Sequence, residues 1–202
     1  MQNAKSKEQR AKCKIMFYID NLYTILLYLA QTDRKGGEEQ MNKAIIIGCP
    51  GSGKSTFSRA LHEKTNLPLY HLDMLYWNSD RTTVTKEVFR ERLQSVLVLN
   101  KWIIDGNYGS TIEMRLKECD TVFFLDYPLE VCIDGVRQRK GTVRTDMPWV
   151  ETEDDEEFLQ FIRDFEKRSR PKIIELLNEY KDKNIVIFKS REDADGYLKN
   201  LR

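Results

Sequence analysis

The chain has 202 residues, 41% of them hydrophobic, with 33 lysines and arginines against 32 acidic residues. That length supports one well-buried core and is short for two ordinary domains. A formal charge of +1 offers no broad field for an anionic partner, so direct nucleic acid binding is not expected and any basic function must be local.

First in chain order come a basic leader (Lys5, Lys7, Arg10, Lys12, Lys14) and an apolar run from Ile15 to Ala30, broken by Asp20 and Asn21. The run falls short of the roughly 18 apolar residues that a spanning helix requires, and the acid inside it argues against a signal peptide. No membrane association is expected. Met41 runs straight into the first predicted strand, and codons for Lys35-Gly36-Gly37 can read AAA-GGA-GGA, a purine-rich ribosome-binding sequence. Residues 1–40 are accordingly read as translated leader with the native start at Met41, and residues 41–202 as a single domain. The alternative is an amphipathic N-terminal helix packed on the domain or on a partner. An intact mass of the natural protein that includes residues 1–40 would sink the leader reading.

From Met41 onward short apolar runs alternate with helical patterns. Ala44 to Ile47, Leu67 to Leu72, Trp102 to Ile104, Val122 to Leu125 and Ile185 to Phe188 read as buried strands. Helices are predicted over Lys54 to Lys64 and over Lys86 to Leu97, the latter with Phe89, Leu93, Val96 and Leu97 on one face and Thr85 as N-cap. Pro128 opens a further helix toward the arginines near 140, and a long charged helix starts near Asp155 and is interrupted at Pro171. The acidic run Glu151 to Glu157 suits the start of that helix, where the dipole favours negative charge. Such alternation implies a parallel sheet sandwiched by helices. The cysteines Cys13, Cys49, Cys119 and Cys132 form no CxxC pair and have no histidine cluster beside them. They argue against zinc and disulfide frameworks and suit a reducing cytoplasm.

Gly48-Cys49-Pro50-Gly51-Ser52-Gly53-Lys54-Ser55 satisfies G-x-x-x-x-G-K-[ST] between a predicted strand and a predicted helix, with Thr56 next in the helix. The glycines let backbone N–H groups turn toward phosphate oxygens, and the helix dipole adds to the attraction. In this pattern Gly48, Pro50, Gly51, Ser52, Gly53, Lys54, Ser55 and Thr56 form the ATP-binding loop. Lys54 reaches the β- and γ-phosphates, and Ser55 is a ligand of Mg2+. The alternative is a Gly-rich βα turn without ligand. A guanine-reading N/T-K-x-D is missing, and a large motor or AAA ATPase needs more chain, which leaves the small-kinase plan.

The segments Leu69 to Trp77 (LYHLDMLYW), Trp102 to Tyr108 (WIIDGNY), Val122 to Pro128 (VFFLDYP) and Arg168 to Pro171 (RSRP) resemble the bacterial topology modulation protein group of the adenylate-kinase-like P-loop kinases. The resemblance runs essentially from Lys43 to Leu201. It implies an α/β P-loop NTPase fold of adenylate-kinase-like type, with a five-stranded parallel sheet, a short acceptor insertion and an arginine-bearing lid. It further implies ATP binding and kinase activity. Asp105-Gly106 is similar to the Asp-Gly pair that nucleoside monophosphate kinases carry after strand three, but their following Phe-Pro-Arg is replaced by Asn107-Tyr108-Gly109. That departure puts a monophosphate acceptor in doubt.

Asp105 follows an apolar strand, so its carboxylate should emerge beside the phosphate loop, where Mg2+ is coordinated; a turn-forming Asp-Gly is the alternative. Asp73, expected at the end of strand two, is the candidate base, since in similar small-molecule kinases an aspartate there aligns an acceptor hydroxyl or a magnesium-bound water; a helix cap is the alternative. His71 is read as pointing away from this rim. Tyr76, Trp77, Arg81 and Asn107 are candidates for the acceptor pocket, the residues of the insertion equally suited to packing. Arg137, Arg139 and Arg144 surround Gly141 in the expected lid, where guanidinium groups match transferring phosphoryl oxygens; a solvated helix end is the alternative. By the resemblance, Arg115 meets an acceptor anion, and Arg168 and Arg170 support the lid.

The reading is a Mg2+-dependent phosphotransferase that uses ATP on a small-molecule or nucleotide acceptor, as a cytoplasmic monomer or weak dimer. The competing reading is an ATP-binding regulatory protein with slow ATPase activity and an indirect effect on DNA topology.

Overall fold

β-Branched and aromatic side chains build the centre of the molecule. In a computed structural model that describes residues 41–151 and 155–201, β1 (Lys43–Gly48) buries Ala44 through Ile47 completely. A strand apolar on both faces must be covered on both, and it lies in the middle of a parallel five-stranded sheet of order β2-β3-β1-β4-β5. The other strands are β2 (Leu69–His71), β3 (Trp102–Asp105), β4 (Thr121–Leu125) and β5 (Asn184–Phe188). All five expected strands are present, and β2 is shorter than the apolar run suggested because a helix begins at Leu72.

The helices are α1 (Lys54–Thr65), α2 (Leu72–Tyr76), α3 (Lys86–Leu97), α4 (Ile112–Glu118), α5 (Leu129–Arg139), α6 (Glu156–Arg168), α7 (Arg170–Glu179) and α8 (Arg191–Asn200), with a 3-10 turn at Gly109–Thr111. Their ends follow local chemistry. Thr85 caps α3 by accepting from the Val88 amide at 3.3 Å, and Asp155 caps α6 from the Phe158 amide at 2.9 Å. Each such cap contributes about 1 kcal/mol. Ser190 and Asp193 close a capping box on α8. The long charged helix breaks at Ser169, two residues before the expected place, because Pro171 has no N–H to give and is tolerated in the first turn of the new helix α7.

On one side of the sheet Phe57 of α1 meets Phe123 at 5.1 Å and Phe188 at 5.3 Å, and Tyr197 of α8 meets the same two rings at 5.3 and 5.5 Å. Burying each phenylalanine is worth roughly 1.5–3 kcal/mol, so this cluster fixes α1, and with it the phosphate loop, on the sheet. Asp120 accepts the backbone amides of Asn42 and Lys43 at 2.9 and 2.8 Å, which sets the entry of β1. The expectations for residues 1–40 lie outside the described residues. Among the described residues no helix is long and apolar enough to cross a membrane.

Candidate functional site

The order of strands places the C-terminal end of β1 where neighbouring connections diverge, the usual location of a ligand crevice in an open α/β sheet. Gly48 to Gly53 turn there, with Gly51 at φ +81° and Gly53 at φ +90°. A Cβ on Gly51 would stand 2.0 Å from the Cys132 carbonyl oxygen, and one on Gly135 of α5 would stand 2.1 Å from the Gly51 carbonyl oxygen. These two glycines let the loop and α5 touch backbone to backbone. Helix α1 starts at Lys54 with no side-chain cap and no acid in its first turn, so the dipole at its N-terminus suits an external anion. Lys54 Nζ lies over the loop, donating to the carbonyls of Gly48 at 3.0 Å and Cys49 at 2.9 Å. Burial lowers its pKa against the pull of neighbouring acids. The buried Ser52 hydroxyl has no hydrogen-bond partner among the described residues.

Parallel pairing sets His71 of β2 beside Asp105 of β3. His71 Nδ1 lies 2.7 Å from Asp105 Oδ1, and Ser58 Oγ donates to Asp105 Oδ2 at 3.2 Å. Asp105 does emerge at the end of β3 and borders the cleft, but its two oxygens are engaged by these partners. His71 turns toward the Asp105 side chain but is not among the residues that border the cleft. Burial alone would lower the His71 pKa; the Asp105 carboxylate overrides it and the pKa is raised.

Asp73 sits in the first turn of α2, past the strand, and it is not the cap, a position that His71 holds. Its Oδ1 accepts from the Tyr108 hydroxyl at 2.6 Å. Burial raises the Asp73 pKa, with Asp105 and Asp146 adding to the effect and Tyr108 and Lys54 opposing it. Tyr108, at φ +22°, meets Tyr76 at 5.1 Å and Phe89 at 5.0 Å. Of these rings Tyr108 borders the cleft, with Tyr76 and Phe89 packed against it. Trp77 pairs with Thr83 across the insertion, which turns through Arg81 at φ +67°; both Trp77 and Arg81 border the cleft.

Arg115, by contrast, does not reach the cleft. It is fully buried, and its guanidinium donates to the carbonyls of Thr111, Gly106, Asn107 and Tyr108 at 3.3, 2.8, 2.8 and 3.4 Å. The sequence expectation of an anion contact is corrected here: Arg115 holds the loop after β3. Asn107 turns to the donor side, its Oδ1 accepting from the Gly48 amide at 3.4 Å.

Residues 140 to 151 form the flap beyond α5. Arg139 pairs with Glu151, Nη2 donating to Oε1 at 3.1 Å, and its guanidinium lies 5.7 Å from the Phe158 ring. Arg144 donates to Glu151 Oε2 at 3.2 Å and to both oxygens of Asp146. Arg137 is exposed at the end of α5, 3.9 Å from Asp134. The flap also carries a residue that sequence reasoning missed. Asp146, 1% exposed, accepts from the Ser55 hydroxyl at 2.6 Å. Burial opposes its charge, yet Arg144 and Ser55 outweigh that and hold its pKa well below the carboxylate range. An acid among the lid arginines was the available signal. Trp149 reaches across to Trp77, edge to face at 4.9 Å. Behind the flap, Asp126 at the end of β4 is gripped by Arg170 through two bonds of 2.8 Å, and by Lys189. Arg168 pairs with Asp164 on the surface of α6.

The cleft between loop, insertion and flap is continuous with a groove lined by α6, α7 and α8, and together they hold about 1920 Å³. The donors at Ser55 are the hydroxyl itself and the Asp146 carboxylate, oxygen ligands of the kind that suits Mg2+ rather than a soft metal.

Sheet order, phosphate loop and flap define the fold as that of the adenylate-kinase-like P-loop kinases. Among solved structures the chain is similar to shikimate kinase from Bacteroides thetaiotaomicron, at 21% identity over 80% of this chain and 96% of that one with a TM-score of 0.52. It is also similar to shikimate kinase from Acinetobacter baumannii in complex with shikimate, at 19% identity over 80% and 93% with a TM-score of 0.54. At these identities the likeness is one of fold. No protein-family model and no curated protein matches the chain.

Proposed function

We propose that the protein is a Mg2+-dependent phosphotransferase that moves the γ-phosphoryl group of ATP to a hydroxyl of a small-molecule or nucleotide acceptor. The observation that carries this reading is the placement of Asp73 and the flap arginines on one cleft with the complete phosphate loop. Asp73 accepts the proton of the acceptor hydroxyl, whose oxygen forms the new bond to phosphorus while ADP leaves. Its raised pKa brings it nearer the operating pH, which favours a general base. Lys54 and the guanidinium groups of Arg139 and Arg144 match the charge spread over the transferring group. Ser55 would hold the metal, which when bound neutralises phosphate charge and aligns the reacting oxygens.

Trp77, Tyr108 and Trp149 border the cleft on the insertion side, and these aromatic faces favour a ring-bearing hydroxy compound. The acceptor of a shikimate-kinase-like enzyme belongs to that class. We also assign the chain, on its segment order, to the topology modulation protein group, working in the cytoplasm as a monomer or weak dimer. The test is ADP release from ATP in the presence of nucleosides, nucleotides and small hydroxy metabolites including shikimate. An acceptor that raises turnover well above the water-only rate supports the kinase. No stimulation by any acceptor, with ATP still bound, would leave the regulatory protein with slow ATPase activity.

A further inference from the structure

The carboxylate expected at the metal is the one at the end of β3, yet the residue in contact with the Ser55 hydroxyl comes from the flap. We infer that Asp146, delivered by the flap, is the protein carboxylate that ligates Mg2+ together with Ser55, and that Asp105 is not. The inference rests on the phosphotransferase reading above and names the residue that completes its metal site.

Asp146 lies 91 residues from Ser55 in sequence and accepts its hydroxyl at 2.6 Å. Its side chain is 2% exposed, so a carboxylate has been placed at the first helical turn of a phosphate-binding loop, where negative charge from the protein competes with phosphate. A bound cation removes that conflict: a hard metal takes a carboxylate, a hydroxyl and phosphate oxygens together. Both acids have protein partners, but those of Asp105, His71 and Ser58, lie outside the phosphate loop, whereas Asp146 meets the loop's own Ser55 hydroxyl. Asp73 is held by Tyr108.

The partner of Asp146 adds a second argument. Arg144 is two residues away, bonded to both Asp146 oxygens, and Arg59 of α1 lies 3.7 Å from Oδ1. Metal-bound triphosphate is itself a cation joined to an anion. The Arg144 and Asp146 pair offers the complement, guanidinium for phosphate oxygen and carboxylate for metal, on one short stretch of flap. Metal loading and flap closure are then a single event, because the ligand leaves when the flap leaves.

The test measures Mn2+ binding by the electron spin resonance of free Mn2+, with ADP present, and ADP binding in EDTA by calorimetry. Asp146→Asn keeps an acceptor for Ser55 but loses the charge. It is expected to weaken Mn2+ binding in the ADP complex by about tenfold or more, with ADP binding in EDTA unimpaired. Asp105→Asn is expected to retain Mn2+ binding. Asp146→Cys should shift preference from Mn2+ toward Cd2+, since a thiolate is a soft ligand. Unchanged Mn2+ affinity in Asp146→Asn, or a loss carried by Asp105→Asn instead, would overturn the assignment. So would a loss in Asp146→Asn with no Cd2+ preference in Asp146→Cys, which marks a field effect without ligation. Failure of the wild type to bind ADP even in EDTA would overturn the phosphotransferase reading as well; intact ADP binding confines the failure to Asp146.

Discussion

Tyr108 donates its hydroxyl hydrogen to Asp73 at 2.6 Å from a backbone at φ +22°. A non-glycine residue in that region carries a strain of about 1–3 kcal/mol, here held by aromatic contacts with Tyr76 and Phe89. The hydrogen bond lowers the Asp73 pKa against the upward push of burial.

Removing it therefore raises that pKa further. Tyr108→Phe should move the acidic limb of the kcat/KM profile to higher pH, since the base must be ionised to act. Asp73→Asn should lower kcat by about 10²–10⁴-fold. A profile of acceptor-stimulated ADP release against pH checks both; an unmoved acidic limb in Tyr108→Phe would separate Asp73 from the proton transfer.

Lys54→Ala should abolish turnover while leaving the thermal transition near that of the wild type, because its amine contacts only loop carbonyls and no core group. Arg139→Ala should lower kcat by about 10²-fold or more, with a much smaller change in ATP affinity, as befits a group that acts on developing charge. Steady-state kinetics and calorimetry with ATP distinguish the two effects. Equal rates in wild type and the arginine variant would remove Arg139 from the reaction.

Arg115 is a matter of stability. Burial lowers its pKa to about 10, and its loss strands the carbonyls of Gly106, Asn107, Tyr108 and Thr111. Arg115→Leu should cost about 3 kcal/mol or more, since each orphaned buried acceptor costs about 1–3 kcal/mol. Chemical denaturation measures it. A stable variant with only a raised acceptor KM would restore the anion-binding role.

The contact between His71 and Asp105 makes stability depend on pH. The folded pKa of His71 is raised, so its contribution is complete below the unfolded value of 6.5 and is lost as pH rises through the folded value. His71→Gln should flatten that slope between neutral and mildly alkaline pH. Urea denaturation across the range reports it, and an unchanged slope would show that another group titrates.

What was legible in the sequence was local. The phosphate loop, the five strands and the Thr85 cap each depend on neighbours a few residues away, and they stand where expected. The contacts that were not legible depend on distant partners. His71 faces Asp105 because of parallel register between β2 and β3, which alternation within one strand does not fix. Arg115 folds back on a loop whose path is set by Gly106 at φ +127°, so its charge suggested a ligand where the backbone supplied one. Asp146 meets Ser55 only once the flap has crossed the cleft.

The backbone contact between Gly51 and Gly135 settles where the flap can pivot. Glycine in a helix interior forgoes about 1 kcal/mol relative to alanine, and α5 accepts this at Gly135 so that it can abut the phosphate loop. A helix seated that closely cannot swing without dragging the loop out of register with its phosphates. The moving part must begin beyond it, at Gly141 with φ +75°, which makes α5 a fixed doorpost and residues 142 to 151 the door. Gly141→Ala, strained at that φ, should destabilise the flap position seen here and lower the rate of acceptor-stimulated ADP release while ADP binding in EDTA stays intact.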